Sequence, residues 1–340
     1  THTQTDANTN QSVNVSNKPF VLQVQISGSD RNNYYLDPNT SLITEQTPGY
    51  IGSITQLQSA KYIGGPGGNW SNPNNWVSND LRNIVGAIPT LNNVAMAIIP
   101  QASSVNFDQQ NLQGITTSEI QNNGQLILNA NQGSTYYSRN NILDSNGVMV
   151  VKNKITGSGS INVSGSGAVM LLNDAADPQF NYNDGNYNNF TGPINIAAGA
   201  TLIAGSSNAL GLTPNIISNN GNFAATHDAV LPELTVNGPM NILSGIHTMN
   251  NQIYGVVTNL ANSSTLTNIT LSHLSNNYAS LGTFDASGSF ISDQGNISFT
   301  GTLNGDNAKD YQVNISALNG AITFNNSVGQ ALPVSLSDFN

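Results

Sequence analysis

The stretch YNNFTGPINIAAGATLIAGSSNALG, residues 187–211, decides the fold class of this chain. Two short β-rich segments, Ile194–Ile196 and residues 201–203, alternate in it with turns made of Gly, Asn and Ser. Short apolar segments between such turns favour strands over helices. Strands that recur at this spacing are typical of a parallel β-helix, in which each coil of chain stacks on the one before it.

Segments of the same kind recur from about residue 101 to the end of the chain. They lie at residues 125–128, 148–151, 160–163, 168–172, 234–236, 241–243 and 265–271. No segment shows sustained helical spacing with caps at both ends, so helix is a minor component. The sequence therefore predicts an all-β chain built as a right-handed parallel β-helix.

One internal repeat is explicit. Residues 295–299, GNISF, match residues 320–324, GAITF, at an offset of 25, and Leu303 and Val328 continue the match. A period between 20 and 50 residues indicates a stacked array, and at about 25 residues per coil the array would have on the order of 11 coils. Asn side chains at equivalent positions are expected to form ladders between coils.

The chain divides into two predicted regions. Residues 1–62 form an N-terminal extension or cap, because an open coil would expose unpaired strand edges. Within it, Phe20, Leu22, Val24 and Ile26 alternate with polar residues and predict an exchangeable strand over residues 20–26. Residues 63–340 form the β-helical repeat domain, which we expect to continue beyond this sequence.

Three stretches resemble bacterial surface proteins. Residues 187–211 resemble the passenger-associated repeat of autotransporter proteins. Residues 63–100, with Trp70 and Trp76 each after an Asn, resemble a segment common in large bacterial surface proteins, and residues 295–336 resemble a repeat of very large adhesins. The resemblance implies an extracellular protein on the surface of a Gram-negative bacterium, an adhesin or passenger stalk.

Composition excludes several classes of partner and site. Only 8% of the residues are charged, against about 25% in an average soluble domain. About one residue in six is Asn, the net charge is −10, and the eight Lys and Arg are scattered. This pattern argues against binding to nucleic acid or to an anionic membrane. The absence of Cys excludes disulfides and zinc–thiolate sites, and no apolar run is long enough to insert into a membrane.

Both Trp residues lie in one short segment and have two interpretations. Trp70 and Trp76 could pack on the open end of the stack and cover it, or they could stand exposed and stack on sugars. Their position at the start of the predicted repeat domain favours packing.

The densest group of carboxylates is Asp174, Asp177 and Asp184. These residues, with Asn181 and Asn183, offer the hard oxygen ligands that calcium prefers, so calcium is the one cofactor considered. Paired carboxyls could also cleave a glycosidic bond by acid–base catalysis. The third interpretation is a loop protruding between two coils.

Aromatic residues interleave with Asn in the same stretch and in one other. Tyr182, Tyr187 and Phe190 form the first candidate sugar-binding set, and Tyr136 and Tyr137 form the second. Ring stacking and amide hydrogen bonds are the contacts that such a surface would use.

No hydrolase, nucleotide-binding or metalloprotease motif occurs, and the four His residues are far apart. His227 and Asp228 are the nearest approach to an acid–base pair, and a solvated turn explains them. The sequence therefore predicts a protein without catalytic residues that mediates attachment. The alternatives are a subunit of a surface layer or filament assembled through residues 20–26, and a β-helix that binds or cleaves polysaccharides. The expected partners are other copies of the chain, or glycans and surfaces of a host or the environment.

Overall fold

The computed structural model describes residues 4–5, 12–13, 34–36, 54–80, 83, 85–86, 88–89, 94–108, 119–131, 136–137, 143–144, 148–151, 153–172, 188–212, 214–261, 285, 287–305, 311–329 and 334–339. Within these ranges the chain is all-β, as predicted, with a 3-10 turn at Pro73–Asn75 and no α-helix. The strands are β1 Gln4–Thr5, β2 Ser12–Val13, β3 Tyr34–Leu36, β4 Ile54–Tyr62, β5 Gly68–Asn69, β6 Trp76–Ser78, β7 Val94–Ile99, β8 Ser104–Asn106, β9 Glu119–Asn122, β10 Gln125–Asn129, β11 Tyr136–Tyr137, β12 Leu143–Asp144, β13 Val148–Val151, β14 Lys154–Thr156, β15 Ser160–Ser164, β16 Ala168–Leu171, β17 Ile194–Ile196, β18 Thr201–Ala204, β19 Asn215–Ser218, β20 Gly221–Ala225, β21 Val230–Leu231, β22 Leu234–Asn237, β23 Met240–Ile242, β24 Ile246–Thr248, β25 Gln252–Tyr254, β26 Val257–Leu260, β27 Ser289–Ser292, β28 Ile297–Phe299, β29 Thr302–Asn304, β30 Tyr311–Ala317, β31 Ile322–Phe324 and β32 Val334–Phe339.

Most of these strands belong to four larger sheets. A ten-stranded sheet has the order β31-β28-β25-β22-β19-β17-β15-β10-β8-β5, and a seven-stranded sheet has the order β13-β16-β18-β20-β23-β26-β29. A six-stranded sheet contains β14-β9-β7-β4-β3 with β6 paired to β4, and a five-stranded sheet has the order β21-β24-β27-β30-β32. Every pairing in the ten- and seven-stranded sheets is parallel.

The chain visits these sheets in rotation. From β19 onward each strand of the ten-stranded sheet is followed by one strand of the seven-stranded sheet and one of the five-stranded sheet, through β30. We call one such circuit a layer. Each layer places its strands beside the equivalent strands of the previous layer, so the sheets grow together along one direction.

The number of residues per layer varies. Leu234 pairs with Gln252, 18 residues later, whereas Gln252 pairs with Ile297, 45 residues later. The predicted 25-residue repeat is one such layer: Ile297 pairs with Ile322, and Leu303 with Val328. The segment at residues 265–271, predicted as a strand, lies outside the described residues.

One main core runs through the stack. Alternate side chains of the strands turn inward and join one continuous cluster of buried Val, Ile, Leu, Ala and aromatic residues. Leu57, Ala60 and Tyr62 belong to it, and β4, which carries them, pairs with β7. The last strand before the predicted boundary at residue 62 is therefore part of the same sheet as the strands that follow it.

Asn ladders form between layers, as the sequence predicts. On the seven-stranded sheet Asn241 Nδ2 donates to Asn222 Oδ1 at 2.9 Å, and Asn259 Nδ2 donates to Asn241 Oδ1 at 3.3 Å. These three residues are register partners in successive strands. Corners use positive φ at Asn220 (53°) and at Gly238 (97°), where a left-handed backbone suits Asn and Gly.

Membrane-spanning helices were sought within the described ranges. No helix there has the length and apolar character that crossing a bilayer requires.

Candidate functional site

The predicted sites fall mainly outside the described residues. This holds for Asp174, Asp177 and Asp184, for Tyr182 and Tyr187, and for the exchangeable strand with Phe20, Leu22, Val24 and Ile26. Tyr136 and Tyr137 form β11, which pairs antiparallel with β12, but the positions of their side chains are not described. Calcium binding, glycan cleavage, sugar binding through these tyrosines and strand exchange stay predictions.

Phe190 occupies a different place from the one that sugar binding requires. Its side chain is 3% exposed and belongs to the main core. Asn188, two residues earlier, is also buried and accounts for the local conformation: its Oδ1 accepts from the Ile155 amide at 2.7 Å, and its Nδ2 donates to the Ala209 carbonyl at 2.7 Å. The Phe190 ring is thus part of the packing between layers and is not on the surface.

The two Trp rings cover one end of the core. Trp70 and Trp76 are fully buried, with ring centroids 4.6 Å apart in an edge-to-face arrangement, and Tyr62 and Phe107 pack against them. Each indole is held by a carbonyl: Trp70 Nε1 donates to Pro89 O at 3.1 Å, and Trp76 Nε1 donates to Trp70 O at 2.7 Å. The packing interpretation is confirmed and the exposed-platform interpretation is wrong.

Two His–Asp pairs are the main charged contacts on the later layers. His227 Nδ1 lies 2.8 Å from Asp285 Oδ1, and His247 Nε2 lies 2.9 Å from Asp293 Oδ1. The hydrogen bond to Asp285, with the attraction of that carboxylate, raises the pKa of His227, whose side chain is 59% exposed. His227 and Asp228 lie in a turn, as expected. Among the described residues no three His, Asp or Glu side chains are grouped as metal ligands.

The outward face of the ten-stranded sheet carries no charge. None of its ten strands contains Asp, Glu, Lys, Arg or His. Several of its Asn side chains are paired between layers: Asn106 Nδ2 donates to Asn69 Oδ1 at 2.9 Å, and Asn195 Nδ2 donates to Asn162 Oδ1 at 2.6 Å. The face is polar, neutral and exposed to solvent, with Ile217 and Ile253 as its exposed large apolar side chains.

The seven-stranded sheet is also free of charged residues, but both of its faces are apolar. One face contributes to the main core. On the other face a second cluster is buried, formed by Val148, Val150, Ala168, Met170, Leu172, Ile203, Ala224 and Leu243. Of these, Val150 pairs with Met170, Met170 with Ile203, and Ile203 with Ala224, so they form one column across four successive strands.

A groove of about 390 Å³ lies where three successive strands of the ten-stranded sheet begin, at β8, β10 and β15. Three corners of the chain, at residues 102–104, 123–125 and 158–160, line it together with Pro66. None of these lining residues is charged. The floor is made by Gly124 and Gly159, both buried, and each Gly lets its own layer approach the carbonyl oxygens of the layer before it.

A buried oxygen without a hydrogen-bond partner lies at this floor. Asn122 is fully buried, and its Nδ2 donates to Ser160 O at 2.9 Å, while its Oδ1 has no hydrogen-bond partner within the described part of the chain. A Cβ built on Gly159 would lie 2.8 Å from that oxygen, so the Asn122 side chain ends directly beneath a residue that lines the groove. A buried acceptor left unpaired costs about 1–3 kcal/mol, which a bound hydroxyl group would offset.

Sequence reasoning missed the groove. Its signal is the corner sequence Asn122-Asn123-Gly124 and the corner sequence of residues 157–160, GSGS. Gln125 pairs with Ser104 and Ser160, 21 residues before it and 35 residues after it, so a search at a fixed period of 25 could not align these corners.

Comparisons with known proteins assign the chain to no family. No protein-family model, no curated protein and no solved structure matches it. The resemblance to autotransporter passengers and large adhesins therefore stays a prediction, and function is inferred from the sheets, the charges and the groove.

Proposed function

We propose that the chain is a non-catalytic attachment protein, a stalk that presents a neutral surface outside a bacterial cell. The observation that carries this proposal is the uncharged, exposed face of the ten-stranded parallel sheet. A surface built from amides, hydroxyls and a few aliphatic groups suits contact with other neutral surfaces, because no charged group must be stripped of water.

We further infer that the layers wind as a right-handed parallel β-helix. The rotation of the chain through three sheets, with parallel pairing at each return, supports this inference. Connections between parallel strands of one sheet are right-handed in about 98% of cases. With about 4.8 Å between neighbouring strands, the ten-stranded sheet would extend over roughly 45 Å.

The surroundings of several carboxylates support a non-catalytic role. Asp108 accepts hydrogen bonds from the Ser71 amide and hydroxyl, and Glu119 accepts from Thr156 Oγ1 at 3.1 Å with Lys154 Nζ 3.7 Å away. Asp285 and Asp293 face histidines. These pairs join one layer or corner to another, and no two of these carboxyls face a common cleft with the separation that glycoside hydrolysis uses.

Attachment can be tested with beads coated with the folded chain. Coated beads should remain on cultured epithelial cells or on polysaccharide-coated glass after washing, and more of them should remain than beads carrying the same mass of heat-denatured chain. Equal retention of the two kinds of bead on every surface would exclude the proposed function.

The winding can be tested with engineered disulfides, because the chain has no Cys. Ser298→Cys with Thr323→Cys places two thiols on register partners of β28 and β31. Because neighbouring strands are about 4.8 Å apart, this pair should oxidise readily. Ser298→Cys with Thr235→Cys is the control, since β22 and β28 are separated by β25. A crystal structure gives the handedness directly.

A further inference from the structure

The groove at the start of β8, β10 and β15 differs from the rest of the ten-stranded sheet in its unused hydrogen-bonding groups. Elsewhere on the sheet, Asn69, Asn106, Asn162 and Asn195 are paired between layers. In the groove, within the described part of the chain, no side-chain hydrogen bond engages four hydroxyls and one amide, those of Ser103, Ser104, Ser158, Ser160 and Gln125.

The floor supplies an independent observation. Asn122 Oδ1 is buried and without a partner, and it lies beneath Gly159. Its orientation is fixed because the other end of the amide donates to Ser160 O. The groove thus combines one fixed acceptor at the floor with several free donors and acceptors at the rim.

The charges select the class of ligand. No charged side chain lines the groove, and the chain as a whole carries a net charge of −10. An acidic ligand would meet a repulsive field and no cation, and a basic ligand would find no carboxylate. A neutral ligand with many hydroxyl groups matches both the rim and the floor.

We propose that this groove binds a neutral sugar unit of a polysaccharide, with one sugar hydroxyl donating to Asn122 Oδ1 and others exchanging hydrogen bonds with the Ser104, Gln125 and Ser160 side chains. The volume of about 390 Å³ lies within the range of small-molecule pockets. The assignment rests on the proposed attachment function and names its partner class. Many copies on one surface would give a weak single site useful avidity.

Saturation-transfer NMR on the full chain tests the assignment. The probes are cellohexaose, maltohexaose and N-acetylchitohexaose, with hexagalacturonate as the acidic comparison. The triple variant Ser104→Ala/Gln125→Ala/Ser160→Ala removes rim groups and should weaken binding of the preferred neutral probe by about tenfold or more. The matched control, Thr235→Ala/Ser298→Ala/Thr323→Ala, removes three outward side chains of the same sheet away from the groove and should change binding by less than about twofold.

A second variant guards against a folding effect. Ser158 is exposed in its corner, so Ser158→Trp should fill the groove without removing a packing contact, and it should also weaken binding. Urea midpoints equal to that of the unchanged chain would show that both variants fold.

The outcomes separate the groove from the proposed function. No transfer to any neutral probe at millimolar concentration, equal weakening in the triple variant and its control, or preference for hexagalacturonate would each overturn the groove assignment. Retention of coated beads in any of those cases would leave the attachment function standing. Groove-dependent binding by a chain whose beads do not attach would support the groove and exclude attachment.

Discussion

The ten-stranded and seven-stranded sheets are made by the same circuits of chain, yet they are written differently. Strands of the ten-stranded sheet alternate, as in SINVS of β15 and LTVN of β22, and only one of their faces is buried. Strands of the seven-stranded sheet include the continuous runs VMVV of β13 and AVML of β16, in which every residue is buried. Alternation marks a strand with one wet face, and a continuous apolar run marks a strand covered on both faces.

The comparison teaches that exposure in a parallel stack is set strand by strand. In the seven-stranded sheet the outward column of Val148 and Ala168 continues as Thr201, Asn222 and Asn241 in later layers. The neighbouring outward column stays apolar through Ile203 and Ala224. One sheet face therefore holds an Asn ladder beside a buried apolar column.

The largest test of the comparison replaces one Ile in each sheet by Asp. Ile203 of β18 is 0% exposed on the outward side of the seven-stranded sheet, whereas Ile217 of β19 is 44% exposed on the outward side of the ten-stranded sheet. Ile203→Asp buries an unpaired carboxylate and should cost more than about 4 kcal/mol of unfolding free energy or prevent folding. Ile217→Asp should cost less than about 1 kcal/mol. Urea unfolding followed by circular dichroism measures both values.

Similar free energies of unfolding for the two Asp variants would contradict the difference between the faces. Ile203→Val is the matched control for shape, because it removes one methylene without adding charge and should cost about 0.5–1.5 kcal/mol.

The difference between the sheets was largely readable from the sequence. The predicted segments at residues 148–151 and 194–196 coincide with β13 and β17, because alternation and apolar runs act locally. The layer lengths were not readable: 18, 25 and 45 residues separate register partners, since insertions between strands change the period without changing the strands. The groove follows from those irregular offsets, and for that reason no fixed-period search could reveal it.

The corners of the two sheets should differ in their tolerance of a methyl group. Gly192, before β17 of the ten-stranded sheet, has no room for a Cβ, which would collide with the carbonyl of Gly159 in the previous layer. Gly205, after β18 of the seven-stranded sheet, would meet Leu172 Cδ1 at 3.0 Å and Leu171 O at 3.1 Å. Gly192→Ala should cost about 3 kcal/mol because backbone must shift, and Gly205→Ala about 1 kcal/mol because a side chain can move.

Thermal or urea unfolding of the two Gly variants gives the comparison. Gly65→Ala, where nothing lies within 4 Å of the added Cβ, is the control and should be nearly neutral. A larger loss for Gly205→Ala than for Gly192→Ala would show that the layers are not closest at the corner of the ten-stranded sheet.

The Asn ladders give a smaller difference. Asn241 is the middle of three laddered residues on the seven-stranded sheet, and Asn195 is the end of a pair on the ten-stranded sheet. Asn241→Ala removes two side-chain hydrogen bonds and should cost about 1–2 kcal/mol, and Asn195→Ala removes one and should cost about 0.5–1 kcal/mol. Equal free energies of unfolding for the two variants would mean that the longer ladder adds nothing.

The smallest effect concerns a charge that lies outside both sheets. The pKa of His227 is raised by its hydrogen bond to Asp285, so the pair stabilises the fold fully below the ordinary pKa of about 6.5, and this contribution is lost as the pH rises through the folded-state value. Asp285→Asn should return the pKa of His227 toward about 6.5. Asp293→Asn, which removes the carboxylate facing His247, should leave it unchanged. NMR titration of the His227 ring measures this pKa, and an unaltered titration in Asp285→Asn would mean that the 2.8 Å contact does not hold the proton. Because the side chain is exposed and neither sheet contributes to the pair, the urea midpoint should shift only slightly over this pH range, and the difference between Ile203→Asp and Ile217→Asp should persist on both sides of it.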